Sequence, residues 1–205
     1  MRRVVVSSCV PTALLALLTA CGGSSAHTSS STTPPSSSAP SSSSTRPTTA
    51  GTAGPCLPGA GTGPLAATGS TTVLMTDLVV QGAGCADKVT FTFKPGAGAP
   101  GYEVAYKPGP FRDAGSGNTH HVSGAAFVVV RLHPAWIADF GQPSAPLTYL
   151  GPKSILHPPG AVHVQDLEVT EAFEGYVTWV VGLDSMRSLT VAASASPPSL
   201  VLTIG

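Results

Sequence analysis

Among the residues that could do chemistry, the cysteines are the most informative, and Cys21 comes first. It closes the lipobox Leu18–Cys21, whose small residues allow a bacterial signal peptidase to cut in front of an acylated thiol. Two arginines and a short apolar run precede it, which is the order of a secretory signal. The alternatives are a secretory signal cut elsewhere and a single membrane span, but a span needs roughly 20 apolar residues. The sequence therefore predicts a signal peptide over residues 1–20 and a lipid such as palmitate on Cys21.

The segment after Cys21 predicts a tether. Residues 22–55 are all Ser, Thr, Pro, Gly or Ala except His27 and Arg46. Such a composition offers almost no apolar surface to offset the entropy of ordering the chain. We therefore assign residues 21–64 to a lipid-anchored, disordered linker. As a flexible coil the Ser/Thr/Pro-rich part would span roughly 30–35 Å, which would carry the folded part from the outer face of the plasma membrane into the cell wall.

Cys56 and Cys85 are the two cysteines that would remain after lipidation and signal removal. In an oxidising compartment two such thiols usually pair, so a disulfide between them is predicted. The alternatives are two free buried thiols or a pair of metal ligands. The metal interpretation is weak because no histidine stands at ligand spacing from either cysteine.

Motifs for catalysis are missing from the sequence. There is no Gly-x-Ser-x-Gly nucleophile elbow and no Ser-x-x-Lys motif. No two histidines stand at zinc-ligand spacing, so a metal site would require His120, His121 and His163 to converge in the folded chain. A metal-dependent hydrolase is therefore a remote alternative, and we expect no enzyme, no catalytic residue and no cofactor.

The charge of the chain excludes one class of partner. Loss of Arg2 and Arg3 with the signal leaves eight basic residues against ten acidic ones, a formal charge of −2. A chain without a basic field is not expected to bind nucleic acid.

The rest of the chain predicts β-strands. Val89, Phe91 and Phe93 alternate with polar residues, which indicates one half-buried strand, and Tyr102–Lys107 alternates in the same way. The run Ala126–Leu132, which has three valines in a row, is better suited to a strand that is covered on both faces.

Three further features complete the predicted architecture. The apolar phase slips within Val162–Val169, which predicts a bulge near Gln165–Asp166. Pro134–Phe140 is the one segment that favours a helical turn. Short strands separated by Gly/Pro clusters indicate an all-β fold, an antiparallel β-sandwich or partly open barrel over residues 65–205.

Several motifs, in order along the chain, resemble the AMIN-like domain of actinobacterial lipoproteins, which is related to the AMIN module of cell-wall amidases. They are Thr76–Leu78, Pro100–Tyr106, Asp113–Gly117, Val130–Ala135 and Phe173–Leu183. The resemblance covers nearly all of residues 70–205. It implies a β-sandwich without catalytic activity that serves localisation and peptidoglycan binding. Two segments depart from the family pattern: Gly82–Lys88 has a cysteine and lacks the usual histidine, and Ser199–Ile204 lacks the usual arginine and aspartate.

These observations together predict a lipid-anchored binding or scaffolding module of the cell envelope. The expected partner is peptidoglycan or a cell-wall protein, and the membrane is reached through the lipid anchor. The alternative is a carrier or chaperone that holds a lipid or another apolar ligand inside the sandwich. The predicted ligand residues are polar and aromatic side chains of the resembling motifs: Tyr102, Tyr106, Arg112, Asp113, Glu174 and Tyr176.

Overall fold

The computed structural model describes residues 56–96 and 98–205, and all of the regular structure in this part is β-strand. The predicted signal peptide, the lipid site at Cys21 and the linker up to residue 55 lie outside the described residues. The strands are β1 (Leu65–Ala67), β2 (Val73–Ala83), β3 (Ala86–Phe93), β4 (Tyr102–Tyr106), β5 (Phe111–Arg112), β6 (Thr119–His120), β7 (Ala126–Leu132), β8 (Ala135–Trp136), β9 (Ser154–Leu156), β10 (Val164–Phe173), β11 (Tyr176–Leu183), β12 (Leu189–Ala195) and β13 (Pro198–Ile204). None of the described residues belongs to a helix that could span a membrane.

The strands form two packed sheets and a small hairpin. The six-stranded sheet has the order β1-β4-β7-β11-β10-β9, and the five-stranded sheet has the order β12-β13-β3-β2-β8. Strands β5 and β6 pair only with each other. Neighbouring strands are antiparallel except β2 and β8, which are parallel. The all-β, antiparallel sandwich predicted from the sequence is confirmed.

The core lies between the two sheets and follows the predicted alternation. Val89, Phe91 and Phe93 of β3 are almost fully buried. The ring of Phe91 meets the ring of Trp179 from β11 edge to face, with 6.4 Å between centroids. Tyr149 packs on the same indole at 5.8 Å. Aromatic rings from both sheets and from the 137–152 loop therefore fill this part of the interior.

Strand β7 is covered on both faces over its three consecutive valines, as this part of the sequence predicts. Val128 and Val130 point into the core, whereas Val129 points to the outer face, the face of the six-stranded sheet that is turned away from the five-stranded one. The β5–β6 hairpin packs over that outer face: the Phe111 ring lies 5.3 Å from the Phe127 ring. Val129, on the same face, is only 7% exposed.

Strand β10 contains the predicted bulge. Its pairing with β11 shifts register between Val164 and Asp166, and shifts again between Val169 and Glu171. The first shift coincides with the phase slip seen in the sequence, because a bulge inserts one unpaired residue and moves the following side chains to the opposite face.

The helical turn expected over Pro134–Phe140 is wrong. Ala135–Trp136 is the short strand β8, and Ala138 bridges Leu147. Backbone groups here are taken by neighbouring segments: the carbonyl of Pro134 accepts from Val73, and the Ala135 N–H donates to the Gly175 carbonyl. These tertiary hydrogen bonds replace the local ones that a helical turn would need.

The predicted disulfide between Cys56 and Cys85 is present, and its two cysteines are separated by 29 positions in the sequence. It ties the beginning of the described chain to the turn between β2 and β3. A little further along, Gly61 forms a bridge with Leu189 at the start of β12. Residues 56–61 are therefore held to the sandwich at two points.

Candidate functional site

A cleft of about 170 Å³ opens where β4, β7 and β11 lie side by side in the six-stranded sheet. One wall is the end of edge strand β1 and the loop after it. The charged and aromatic residues that line the cleft are Tyr102, Glu103, Arg131, His133 and Tyr176.

Strand register places the two charged residues of the cleft opposite each other. Glu103 of β4 pairs directly with Arg131 of β7. Their strand neighbours Val104 and Val130 are fully buried, so alternation turns both charged side chains to the outer face. Side chains directly opposite on antiparallel strands have Cβ atoms about 4.5–5.5 Å apart. The sheet thus brings one cation and one anion to one position.

Tyr176 forms the aromatic wall of the cleft. The guanidinium carbon of Arg131 lies 3.9 Å from the centre of the tyrosine ring. The His133 imidazole stacks on the same ring with 4.1 Å between centroids and 19° between planes. Two groups this close to one centroid must lie on opposite faces of the ring. Both faces of Tyr176 are therefore covered, and its edge and hydroxyl remain for a ligand.

A tight turn positions Tyr176 at the start of β11. Phe173 and Tyr176 pair across the β10–β11 hairpin, and Glu174 and Gly175 form the turn with φ of 48° and 81°. Positive φ at both central residues is the type I′ geometry that suits the twist of a hairpin. The Gly175 carbonyl also accepts from Ala135, which holds the turn beside the His133 loop.

Arg131 has unused hydrogen-bonding capacity. Its Nε is buried and has no hydrogen-bond partner among the residues that the structure describes. Its nearest carboxylate contact is Glu171, whose Oε2 lies 3.9 Å away and accepts a hydrogen bond from Thr178 at 2.7 Å. The guanidinium group can donate five N–H groups, so most of them are available to a ligand at the cleft.

Glu103 has no hydrogen-bond or ion-pair partner in the part of the chain that the structure describes. Its side chain is exposed and forms no hydrogen bond or ion pair with a described residue, and this includes Arg131 directly across the ladder. An exposed carboxylate and a guanidinium group thus line one cleft without being joined to each other.

A second cleft adjoins the first and extends it along β4. Its volume is about 220 Å³, and it shares Glu103 and Arg131 with the first cleft. Its remaining wall is mostly apolar, with Leu65, Ala105 and Val129, and Lys107 at its far end. The two clefts border the same charged pair from both sides.

The structure separates the six predicted ligand residues. Tyr102 and Tyr176 line the first cleft. Glu174 stands in the adjoining hairpin turn and is exposed, but it is not part of the cleft lining.

The other three lie elsewhere and form hydrogen bonds with other parts of the protein. The Tyr106 hydroxyl donates to the Arg187 carbonyl at 2.7 Å and accepts from the Arg187 N–H at 2.8 Å. Burial raises the pKa of Tyr106 above its ordinary value. Tyr106 also borders a third surface cleft of about 390 Å³, together with Phe127 and the exposed Met186.

Arg112 and Asp113 are in the β5–β6 hairpin. The Asp113 carboxylate accepts hydrogen bonds from the N–H groups of Ser116 and Gly115. The bond from Ser116 is the main cause that lowers the pKa of Asp113. Arg112 donates a long bond of 3.4 Å to the Gly117 carbonyl. These contacts shape the turn of the hairpin.

The three histidines considered for a metal site have separate partners or none. His120 Nδ1 lies 2.6 Å from a Glu168 oxygen, and His121 is exposed. His163 contacts the Cys85 carbonyl through Nε2 and the Asp184 carboxylate through Nδ1. Across residues 56–96 and 98–205 no three His, Cys, Asp or Glu side chains are grouped so that they could hold a metal ion.

Glu103, Arg131 and His133 were not among the ligand residues predicted from the sequence. A signal for Arg131 was present, because it interrupts an otherwise apolar run in a strand that was expected to be buried on both faces. A charge at such a position requires an opening in the covering layer or a partner. The pairing with Glu103 could not be found in this way, because it depends on the register between β4 and β7.

Comparison with known proteins gives one match. A family model described as the AMIN-like domain matches residues 73–205. Searches of curated proteins and of solved structures gave no significant match. Five of the cleft residues, from Tyr102 to Tyr176, lie inside the matched range.

Proposed function

Because the chain belongs to the AMIN-like domain family, we propose that it is a non-catalytic binding module of the bacterial cell envelope whose ligand is peptidoglycan. The charged cleft on the outer face of the six-stranded sheet is the observation that locates the proposed binding site. Arg131 offers hydrogen-bond donors there, and its ion-pair contact among the described residues is a long one, 3.9 Å between its Nε and Glu171 Oε2. Glu103 offers a carboxylate that has no hydrogen-bond or ion-pair partner among the described residues. Peptidoglycan stem peptides carry carboxylate, amide and ammonium groups that match such a surface.

The interior of the sandwich favours this proposal over an apolar-ligand carrier. Phe91, Tyr149 and Trp179 bring their rings together between the sheets. The Trp179 side chain is fully buried. The charged cleft, by contrast, opens at the surface, where a polymer that is much larger than the domain can reach it.

Co-sedimentation with purified peptidoglycan tests the proposal. We expect the protein to pellet with insoluble peptidoglycan and the Arg131→Gln variant to pellet less. Arg112→Gln removes the same type of charge from the β5–β6 hairpin, outside the cleft lining, and serves as the matched control. If the wild-type protein pellets no more than an unrelated protein of similar size, the proposed function is wrong.

We also propose that Cys21 carries a lipid that anchors this module to the outer face of the plasma membrane. The support is the lipobox Leu18–Cys21 and the secretory signal before it. Cells that express the Cys21→Ser variant should release the protein from the membrane fraction and should not incorporate labelled palmitate into it. Cys9→Ser, inside the predicted signal peptide, is the matched control and should leave both properties unchanged.

A further inference from the structure

Resting on the proposed function, we propose that the cleft binds an amino-acid end group that carries a free carboxylate and a free ammonium on the same carbon. In peptidoglycan this group is the side-chain end of a diamino acid such as meso-diaminopimelate in the stem peptide. The cleft would thus recognise the peptide of the polymer and leave the glycan strand outside.

The charge pattern of the cleft fits a ligand that carries both charges. Arg131 and Glu103 face each other across the β4–β7 ladder, and no ion pair joins them among the described residues. A carboxylate at the guanidinium of Arg131 and an ammonium at Glu103 would form charge-assisted hydrogen bonds with both. An anion alone would be repelled by Glu103 and by Glu171, and a cation alone would be repelled by Arg131. A zwitterionic ligand can neutralise Arg131 and Glu103 at the same time.

The size of the cleft fits a small end group. Pockets for drug-sized ligands usually measure about 300–1,000 Å³, whereas this cleft measures about 170 Å³. It can take the end of an amino-acid side chain but is small for a disaccharide. The neighbouring cleft of about 220 Å³ starts at the same charged pair and has an apolar wall. It offers room for the aliphatic part of a diamino acid and the peptide that carries it, which favours a stem peptide over a free amino acid.

The aromatic wall of the cleft also favours a peptide ligand. One common way for a protein to bind a sugar ring is to stack it flat on an exposed aromatic face. Both faces of Tyr176 are covered, one by Arg131 and one by His133. The tyrosine can therefore orient the guanidinium but has no free face for a sugar. Holding Arg131 between the ring and the ligand also reduces the rotamer freedom that binding would otherwise cost.

The test compares two kinds of insoluble peptidoglycan. One carries meso-diaminopimelate in the stem peptide and the other carries lysine, which keeps the ammonium and lacks the carboxylate. We expect binding to the diaminopimelate type to be at least about tenfold tighter, because one charge-assisted contact is worth about that factor. Equal binding to both would overturn the zwitterion proposal and leave the proposed function standing. Binding to neither would overturn both.

Competition by small molecules tests the two ligand charges one at a time. It also distinguishes a stem peptide from a free amino acid as the ligand. Soluble meso-diaminopimelate should compete with the polymer, whereas pimelate, which lacks the ammonium, and cadaverine, which lacks the carboxylates, should not. Competition by pimelate or cadaverine at equal concentration would overturn the proposal. Free D-alanine that competes as well as meso-diaminopimelate would assign the cleft to free amino acids and overturn the stem-peptide assignment.

Variants assign the two contacts to residues. Arg131→Gln should remove the preference for diaminopimelate over lysine, because it removes the carboxylate contact. Glu103→Gln should weaken binding to both types by about tenfold, because both keep the ammonium. Arg112→Gln and Glu174→Gln are the matched controls outside the cleft lining. Unchanged urea midpoints would show that all four variants are folded. If the control variants then lost as much binding as Arg131→Gln and Glu103→Gln, the assignment would be contradicted.

Discussion

Asp87 provides the strictest test of how this fold is held together. Its side chain lies in β3, has no solvent exposure, and accepts hydrogen bonds from three consecutive backbone N–H groups. Asp87 Oδ2 accepts from Val162 at 3.0 Å, from His163 at 2.6 Å and from Val164 at 2.8 Å, and Oδ1 also accepts from Val162, at 2.8 Å. A single carboxylate of the five-stranded sheet therefore fixes the entry to β10 in the six-stranded sheet.

The Asp87→Ala substitution should be strongly destabilising. The N–H groups of His163 and Val164 would remain in buried positions without an acceptor, whereas Val162 is 48% exposed and can turn to water. Each buried unsatisfied donor costs about 1–3 kcal/mol, so we expect a loss of about 2–6 kcal/mol in the free energy of unfolding. The whole stability of a domain of this kind is about 5–15 kcal/mol.

The Asp87→Asn substitution should cost less. An amide oxygen at the position of Oδ2 can keep all three hydrogen bonds, although without charge assistance. The amide NH₂ then stands at the position of Oδ1. Because it cannot accept a hydrogen bond, the second contact with the Val162 N–H is lost. We expect a loss of about 1–2 kcal/mol. The order of stability is therefore wild type, then Asn, then Ala.

Urea denaturation followed by tryptophan fluorescence measures these differences, because the Trp179 indole is fully buried in the folded protein. Asp113→Ala is the matched control: Asp113 also accepts from two backbone N–H groups, but in an exposed turn where water can replace it. The reasoning is refuted if Asp87→Ala lowers the midpoint no more than Asp113→Ala does, or if Asn costs as much as Ala.

Three further outcomes follow from the structure. Replacing Cys56 and Cys85 together by serine should lower the free energy of unfolding by about 3–4 kcal/mol, and dithiothreitol should then have no further effect on the urea midpoint; a loss below about 1 kcal/mol would contradict the loop-entropy argument for a 29-residue separation. Gly182→Ala should prevent native packing, because a Cβ there would meet the Ser123 carbonyl oxygen well inside van der Waals contact; a wild-type melting temperature would refute this. A hydrogen bond from Arg187 lowers the pKa of Asp184 from 3.8 to about 2. The carboxylate therefore stabilises the folded state above pH 3.8, and the contribution is lost as the pH falls towards 2. Thermal melts across this window should show a smaller loss in Asp184→Asn than in the wild type, and equal slopes would contradict the assignment.

Much of the fold could be predicted from local patterns. The alternation of Val89, Phe91 and Phe93 predicted a half-buried strand, and all three are buried in β3. The phase slip in Val162–Val169 predicted the bulge that the register of β10 contains. Such patterns work because the two-residue period of a strand is a property of the backbone and does not depend on which strand lies next to it. The segment Pro134–Phe140 was mispredicted because its backbone partners are distant in sequence.

For the candidate site, the sequence determined which residue types are present. Only the tertiary structure decided which of these residues lie together in one cleft. Tyr102 and Tyr176 line the same cleft, whereas the Tyr106 hydroxyl is hydrogen-bonded to the backbone of Arg187. The placement of Glu103 directly opposite Arg131 follows from one choice of register between β4 and β7. Slipping that register by one residue would turn every side chain of one strand to the other face. The burial of the whole core sets the register, so no local stretch of sequence could reveal the cleft.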